Sequence, residues 1–260
     1  MLEDISIERW GVGEPVVLVH GAMMGGEACW RKQRPLSERW LLVVLSRRGY
    51  VPNPPAPLSD YELDASDVAA TLGDGAHLVG HSYGGLVAML AAARRPDAVR
   101  SLCLLEPASQ AFLRGDPEVE AGIQRHETRR QTKRDPREFL IDFMESVDAA
   151  AYVPDPLPAE MEQHARLLMT ERAPYEAQIP DEILSAAHFP KLVVSGGHSD
   201  TQERVCDITA IAVGAMRCVV SGAAHLIPRA PRCNTVLERF WRNGDCESDT
   251  SAERGRPFEP

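Results

Sequence analysis

The chain has 260 residues, of which 44% are hydrophobic and 25% charged, enough for one large α/β domain or two small ones. Its net charge of −10 and pI near 5.3 argue against a nucleic-acid partner, whose phosphates would meet like charge over most of the surface. The first residues, MLEDISIERW, are acidic where a signal peptide is basic, and no apolar run approaches the ~18 residues of a membrane span. We therefore expect a cytoplasmic protein that does not bind membranes, and leave its oligomeric state open.

Short apolar runs of strand length recur along the chain, separated by segments with helical spacing. The runs are PVVLVHG (15–21), WLLVVLS (40–46), AHLVGHS (76–82), RSLCLLEP (100–107), KLVVSGG (191–197) and RCVVSGAAH (217–225). Helices are predicted over 60–72, 83–97 and 235–242. Strands that are apolar on both faces suit a sheet covered by helices on both sides. The alternation predicts an α/β fold with a mostly parallel, doubly wound sheet.

The alternation of strands and helices stops between Glu106 and Lys191, where the sequence contains no convincing strand. Helical patterns occur instead in DPEVEAGIQRHETRRQTKR, REFLIDFMESV and AEMEQHARLLM. We interpret residues 108–189 as a helical cap inserted between strands of a core formed by 1–107 and 190–243, with ordinary crossover helices as the alternative. The polar tail, 244–260, is predicted to be disordered.

The six cysteines are scattered, with no CxxC pair, which argues against a zinc site or a disulfide framework. Cys103 and Cys218 lie inside apolar runs. We expect all six to be reduced packing residues, and expect no metal or cofactor.

The stretch Gly80-His81-Ser82-Tyr83-Gly84 carries the strongest chemical signal. It closes an apolar strand and opens a helix of small residues, the setting of a nucleophile elbow, in which the serine lies in a strained turn. At a helix N-terminus, free N–H groups and the helix dipole also favour developing negative charge. Ser82 is therefore the predicted nucleophile; the alternative is a glycine-rich turn with an incidental serine.

A serine hydroxyl needs a base, usually a histidine that a carboxylate orients. Among the eight histidines, His77 and His81 are too close in sequence to reach over the elbow, and His20 follows another strand. His225 ends an apolar run and precedes a Pro-containing turn and a helix. It should therefore project from the same edge of the sheet as Ser82, unless it is a surface loop residue.

The strand followed by HGAMMGG (20–26), the GHSYGG elbow and the late GAAH together resemble the α/β-hydrolase family in order and spacing. The resemblance covers about residues 15–107 and 190–242. It implies Ser82 as nucleophile and His225 as base. It also implies an oxyanion hole formed by the backbone N–H groups of Tyr83 and Ala22, with Met23 as the alternative to Ala22.

The triad acid departs from the commonest family pattern. That pattern, Gly-x-x-Asp after the next-to-last strand, places Ser199 where the acid should be, and Asp200 comes one residue late. Glu106 instead stands at the end of the strand RSLCLLE, a position that some family members use. A carboxylate there is otherwise costly to bury. We favour Glu106 and keep Asp200 as the alternative acid.

A serine at the elbow argues against the epoxide hydrolase and dehalogenase branches of the family, which use aspartate. The resemblance therefore implies hydrolysis of an ester, thioester or related acyl bond through an acyl-enzyme. If the insertion is a cap, Phe139, Phe143 and Met144 would line a pocket for a medium-sized, fairly apolar small molecule, although they could simply pack the insertion onto the core. The alternatives are a non-hydrolytic lyase, cyclase or acyl transferase on the same scaffold, and a catalytically silent ligand receptor.

Overall fold

The structure is a computed structural model that describes residues 5–147 and 153–246. Its sheet has seven strands in these two ranges: β1 (Ile7–Trp10), β2 (Glu14–Val19), β3 (Trp40–Leu45), β4 (Ala76–His81), β5 (Val99–Leu105), β6 (Lys191–Ser195) and β7 (Met216–Val219). Their order is β1-β3-β2-β4-β5-β6-β7. Every neighbouring pair is parallel except β1 with β3. The predicted fold class is confirmed, and all six predicted strands are present.

The helices in the described ranges are α1 (Gly26–Trp30), α2 (Tyr61–Thr71), α3 (Tyr83–Arg94), α4 (Pro117–Thr132), α5 (Pro136–Ser146), α6 (Ala159–Met169), α7 (Asp181–Ala186), α8 (Asp200–Val213) and α9 (Cys233–Asn243). Short 3₁₀ segments join several of them. The three predicted core helices correspond to α2, α3 and α9. Edge strand β1 and helices α1, α7 and α8 were not predicted.

Alternate residues of the central strands contribute to two separate cores. Val17 and Val19 of β2 pack with α2, α3 and α8, whereas Val16 and Leu18 pack with α1 and α9. All four valine and leucine side chains are fully buried. Because both faces of these strands are covered, the strands are apolar throughout instead of alternating with polar residues.

Four helices, α4 to α7, lie between β5 and β6, and no strand occurs in the described part of that stretch. Helices α4 and α5 begin in the same way. Asp116 accepts hydrogen bonds from the N–H groups of Glu118 and Val119, and Asp135 caps α5 likewise; a proline is the first helical residue in both. Helices α5 and α6 then form a small apolar cluster of their own with the side chain of Met23 from the core.

The prediction that all six cysteines are reduced is wrong for one pair. Cys218 of β7 and Cys246, just beyond α9, form a disulfide across a Cα–Cα distance of 6.4 Å. The reason is tertiary: α9 packs back on the sheet and returns the chain to β7, so two cysteines far apart in sequence meet. Cys29, Cys103, Cys206 and Cys233 are free and buried, as expected. The rest of the predicted disordered tail, 247–260, lies outside the described residues.

Candidate active site

Ser82 lies between β4 and α3 in a backbone conformation that side chains rarely adopt, with φ 54° and ψ −122°. The turn is held from both sides, since the Ser82 N–H donates to the Leu105 carbonyl at 2.9 Å and the Ala108 N–H donates to the Ser82 carbonyl at 2.9 Å. A Cβ at Gly84 would come within 2.4 Å of the His20 carbonyl oxygen, so only glycine allows α3 to start this close to β2. The strained turn presents the Ser82 hydroxyl at the carboxyl edge of the sheet.

Three predicted side chains meet at this edge. His225 Nε2 lies 3.0 Å from Ser82 Oγ, and His225 Nδ1 lies 2.7 Å from Glu106 Oε2. Glu106 directly follows β5, at φ 40°, and is fully buried. His225 stands in the loop after β7 with 13% of its side chain exposed. The structure thus joins serine, histidine and carboxylate in one hydrogen-bonded chain.

The surroundings of Glu106 keep it ionised. Its Oε1 accepts a hydrogen bond of 2.7 Å from the Gly196 N–H, and His198 Nδ1 lies 3.3 Å from the same oxygen. Burial opposes the charge, but His198 and His225 outweigh it and lower the pKa of Glu106 to about 2. An ionised carboxylate only accepts, so His225 Nδ1 carries a proton, and the neutral tautomer that this bond selects turns the lone pair of Nε2 to Ser82.

The alternative acid, Asp200, is not part of the hydrogen-bonded series formed by Ser82, His225 and Glu106. It is an exposed residue at the first position of α8, and in the described part of the protein no hydrogen bond joins it to His225. Ser199 caps that helix by accepting from the Gln202 N–H at 3.4 Å. The chain after β6 therefore enters a helix at the point where the family pattern has a turn with the acid.

The predicted oxyanion residues surround the serine. A Cβ at Gly21 would meet Ser82 Cβ at 2.9 Å, so the Gly21–Ala22 backbone passes directly beside Ser82. Tyr83 is the first residue of α3, where a backbone N–H has no partner within the helix. Ala22, Ser82 and Tyr83 line one cavity, which Met23 does not. Met23, at φ 72°, instead turns its side chain into the cluster with α5 and α6.

Two neutral histidines hold the loop that contains Ala22. His20 Nδ1 lies 2.7 Å from the Gly21 carbonyl, and its Nε2 accepts from the Arg47 N–H at 2.9 Å. His164 of α6 repeats the pattern, with Nδ1 3.2 Å from the Met23 carbonyl and Nε2 accepting from the Val51 N–H at 3.1 Å. Because Nε2 must accept in both cases, the proton is on Nδ1. Burial lowers the pKa of both histidines, which favours this neutral form.

Beneath this loop lies a second ionic group, the Arg47 cluster, formed by Arg47, Tyr50, Asp64 and Glu171. Arg47 is completely buried and donates to Asp64 at 2.9 Å, to the Tyr50 hydroxyl at 3.1 Å and to the Gly21 carbonyl at 3.1 Å. Its guanidinium lies 3.5 Å from Glu171. Burial opposes the charge of Arg47, but Tyr50, Asp64 and Glu171 outweigh it and raise its pKa. Glu171 differs, since burial raises its pKa to about 7.

The cavity above Ser82 has a volume of about 560 Å³. Phe143 is among its lining residues. The other two predicted substrate contacts need correction: Phe139 and Met144 do not line this cavity in the described part of the chain, but are buried between α5 and α6. Helical spacing identified the apolar side of α5 but could not separate side chains that face the cavity from those that face α6.

Sequence reasoning missed several residues that support the site. His81 Nε2 lies 2.8 Å from the His225 carbonyl, and burial lowers the pKa of His81 to about 3. A neutral His81 thus holds the backbone of the predicted base. His198 lies two residues after Gly196, in the turn after β6, where the family pattern predicts only a carboxylate. Nothing local in the sequence marks Arg47 as buried, because its partners come from three other segments.

A parallel sheet with a strained serine after a central strand and a histidine after the last one defines a class of protein, the α/β-hydrolase fold. The comparison with known families agrees. The sequence profile of the alpha/beta hydrolase family matches residues 16–233, and the chain belongs to that family.

Curated relatives are similar over part of the chain. A pimeloyl-[acyl-carrier protein] methyl ester esterase of Aeromonas hydrophila is 36% identical over 129 residues, which cover 46% of this chain and 50% of that protein. Lipase LipV of Mycobacterium tuberculosis is 37% identical over 114 residues, which cover 42% of this chain and 43% of that protein. The chain thus spans about half the length of these relatives.

Solved structures extend the likeness in fold to nearly the whole chain. A thermophilic esterase from Thermogutta terrifontis superposes with a TM-score of 0.72 at 23% identity, covering 92% of this chain and 93% of that one.

Among the described residues, no helix is long and apolar enough to span a membrane. No group of three His, Cys, Asp or Glu side chains in the same residues could hold a metal ion.

Proposed function

We propose that this protein is a serine hydrolase that cleaves an ester, thioester or related acyl bond of a medium-sized, largely apolar small molecule through an acyl-enzyme. The observation that carries the proposal is the chain of contacts from Ser82 Oγ through His225 to Glu106, at 3.0 and 2.7 Å, on the wall of a cavity. Such a chain raises the nucleophilicity of a serine hydroxyl. The esterase and lipase names of the relatives add support.

In the proposed reaction, Ser82 Oγ attacks the carbonyl carbon while its proton passes to His225 Nε2. The buried carboxylate of Glu106 stabilises the imidazolium that forms and keeps Nδ1 protonated. The C–O or C–S bond breaks as His225 returns the proton to the leaving group, which departs as an alcohol or thiol. Water, deprotonated by His225, then attacks the acyl-enzyme and releases the acid and Ser82.

The oxyanion of each tetrahedral intermediate would lie between the N–H groups of Tyr83 and Ala22. Ala22 is favoured over Met23 because it lines the cavity with Ser82, whereas the side chain of Met23 packs against the α5–α6 pair. Losing one such donor in comparable sites costs about 10²–10³-fold in rate.

Residues 108–189 serve as a cap in this proposal. Helices α4 and α5 provide Val119, Ile123 and Phe143 to the cavity that contains Ser82, so the segment forms part of the substrate-binding wall. Its tie to the core is direct, since His164 of α6 binds the carbonyl of Met23.

The test is covalent labelling by a fluorophosphonate probe, followed by intact mass. Wild type should gain a single adduct and Ser82→Ala none, because only a serine beside a working base reacts. The absence of an adduct on folded wild type would contradict the proposed nucleophile.

A further inference from the structure

Helix α4 places a buried cation in the wall of the cavity that contains Ser82. Arg129 is only 8% exposed, and its Cζ lies 5.8 Å from the ring centre of Phe139 and 5.9 Å from that of Phe143. Arg129 lines the cavity together with Phe143 and Val147. An arginine beside phenyl rings keeps its charge and can still donate along its edge.

Arg129 lacks a counterion in the described part of the chain: no hydrogen bond or ion pair joins its side chain to residues 5–147 or 153–246. The acids whose charges act on the pKa of Arg129 are Asp142 and Glu145. Asp142 pairs instead with Lys133 at 3.5 Å, and Glu145 is exposed to solvent. Burial lowers the pKa of Arg129, which is the effect of removing a cation from water without a close anion.

Of the four carboxylates in the cavity wall, the buried Glu106 and Glu171 and the exposed Glu118 are already engaged, and Glu145 is exposed to solvent. Glu106 is bound by His225 at 2.7 Å, Glu118 by Arg204 at 2.9 Å, and Glu171 lies 3.5 Å from Arg47. Arg125, one turn before Arg129, also lines the cavity but is exposed. Among the described residues of this wall, the charge left uncompensated in a sheltered position is therefore positive, and Arg129 carries it.

We propose that Arg129 binds a carboxylate of the substrate, so that the preferred substrates are esters or thioesters that carry a second, ionised carboxylate across an apolar spacer. This proposal rests on the proposed function. A planar carboxylate matches the two-pronged donor edge of a guanidinium. Val119, Ile123 and Phe143 line the same cavity as Arg129 and Ser82, and these apolar side chains suit methylene groups better than a polar linker.

The experiment compares esters of equal chain length with and without the carboxylate: monomethyl adipate against methyl hexanoate, and monomethyl suberate against methyl octanoate. Methanol release gives kcat/KM for each. Wild type should prefer the carboxylate-bearing ester of at least one pair. Arg129→Met should lower that preference about 10- to 100-fold, the usual effect of losing a hydrogen bond to a charged group, mainly through KM.

Two variants separate recognition from folding and from general charge. Arg129→Lys keeps the positive charge but lacks the two parallel N–H donors of a guanidinium, and it should retain part of the preference. Arg130→Met, at the neighbouring arginine of the same helix, which does not line the cavity, should change it less than about 3-fold. Throughout, kcat/KM for the neutral esters reports whether the cavity remains intact.

The outcomes separate this proposal from the proposed function. Wild type that cleaves neutral esters without preferring the carboxylate, or an Arg129→Met variant with the wild-type preference, overturns the role of Arg129 and leaves the hydrolase in place. Wild type that cleaves neither kind of ester and takes no fluorophosphonate adduct overturns both.

Discussion

Two buried ionic groups lie on either side of the loop that carries Ala22, and they are built from similar parts. At the sheet edge, Glu106 and His225 lead to Ser82; beneath the loop, Arg47 binds Asp64, Tyr50 and the Gly21 carbonyl. Each contains a carboxylate that is at least 99% buried. The two groups differ in the last residue of each hydrogen-bonded series. The first group ends at the Ser82 hydroxyl, which lines the cavity. In the second group, the Arg47 guanidinium donates its hydrogen bonds to other protein atoms.

The difference shows how burial and reactivity are related. Burial makes both groups sensitive to the loss of a partner, because an unpaired charge in the interior is costly. Only the first leaves a lone pair, on His225 Nε2, next to a group that a substrate can reach. We therefore expect changes in the first group to reduce catalysis and changes in the Arg47 cluster to reduce stability, and four predictions test this contrast.

The largest expected effect is on turnover. Ser82→Ala should lower kcat for a methyl ester by about 10⁴-fold or more, since the reaction loses its nucleophile. The thermal midpoint should stay within about 2 °C of wild type, because no buried partner is removed. A fully active variant would mean that another group attacks the substrate.

The second effect concerns the acid. Glu106→Gln should lower kcat by about 10³–10⁴-fold, because a neutral amide neither fixes the Nδ1–H tautomer nor stabilises the imidazolium. Asp200→Asn is the matched control and should stay within about 2-fold, since Asp200 is exposed at the start of α8. Equal, mild losses in the two variants would show that neither carboxylate orients His225.

The third prediction moves to the other group. Arg47→Met should lower the free energy of unfolding by about 3–5 kcal/mol, measured in urea at pH 7, because Asp64 is left buried without its cation. Arg166→Met is the control. Arg166 pairs with Glu162 at 2.6 Å, but 63% and 47% of the two side chains are exposed, and its loss should cost about 1 kcal/mol or less. Similar losses in both variants would contradict the contrast between buried and surface pairs.

The smallest effect is a pH dependence. Burial raises the pKa of Glu171 from 4.5 to about 7 in the folded protein, where it faces Arg47, Asp64, Tyr83 and Ser59. Its contribution to stability is therefore complete below pH 4.5 and is lost as the pH rises through 7, when the unfolded chain has already released the proton. The loss amounts to about 3 kcal/mol at most.

Glu171→Gln should remove that decline in urea unfolding between pH 5 and pH 8. The exposed Glu176→Gln serves as the control and should keep the wild-type profile. If both variants follow the wild-type profile, Glu171 is ionised together with Asp64 beside Arg47.

The sheet could be predicted from the sequence because its strands are buried on both faces, which makes each one a continuous apolar run. The edge strand β1 escaped for the opposite reason: IERW is short and half polar, and it pairs only with β3. Helix α8 had a signal that went unused, since Ser199 followed by Gln202 is a typical start of a helix. That signal would have argued against Asp200 as the acid.

The side chains at the candidate site differ in how far local sequence identifies them. Ser82 and Glu106 directly follow strands and His225 lies in the loop after the last strand, and parallel strands bring their carboxyl ends to one edge. The residues that hold the loop containing Ala22 have no such position in the sequence to identify them. His164 meets Met23, and Glu171 meets Arg47, only because α6 packs over the core. Spacing within a segment cannot show contacts that packing between segments creates.

The backbone hydrogen bonds between Ser82 and the end of β5 affect which segments of two related proteins could be joined in one chain. Ser82 and Glu106 directly follow neighbouring strands, and Ser82 is hydrogen-bonded to Leu105 and Ala108 on either side of Glu106. His225 comes from the far half of the chain. A chimaera that replaced everything after Ala108 with the corresponding part of a relative would keep Ser82 and Glu106 with these bonds, and the donor would have to supply the histidine loop and the backbone N–H that binds Glu106.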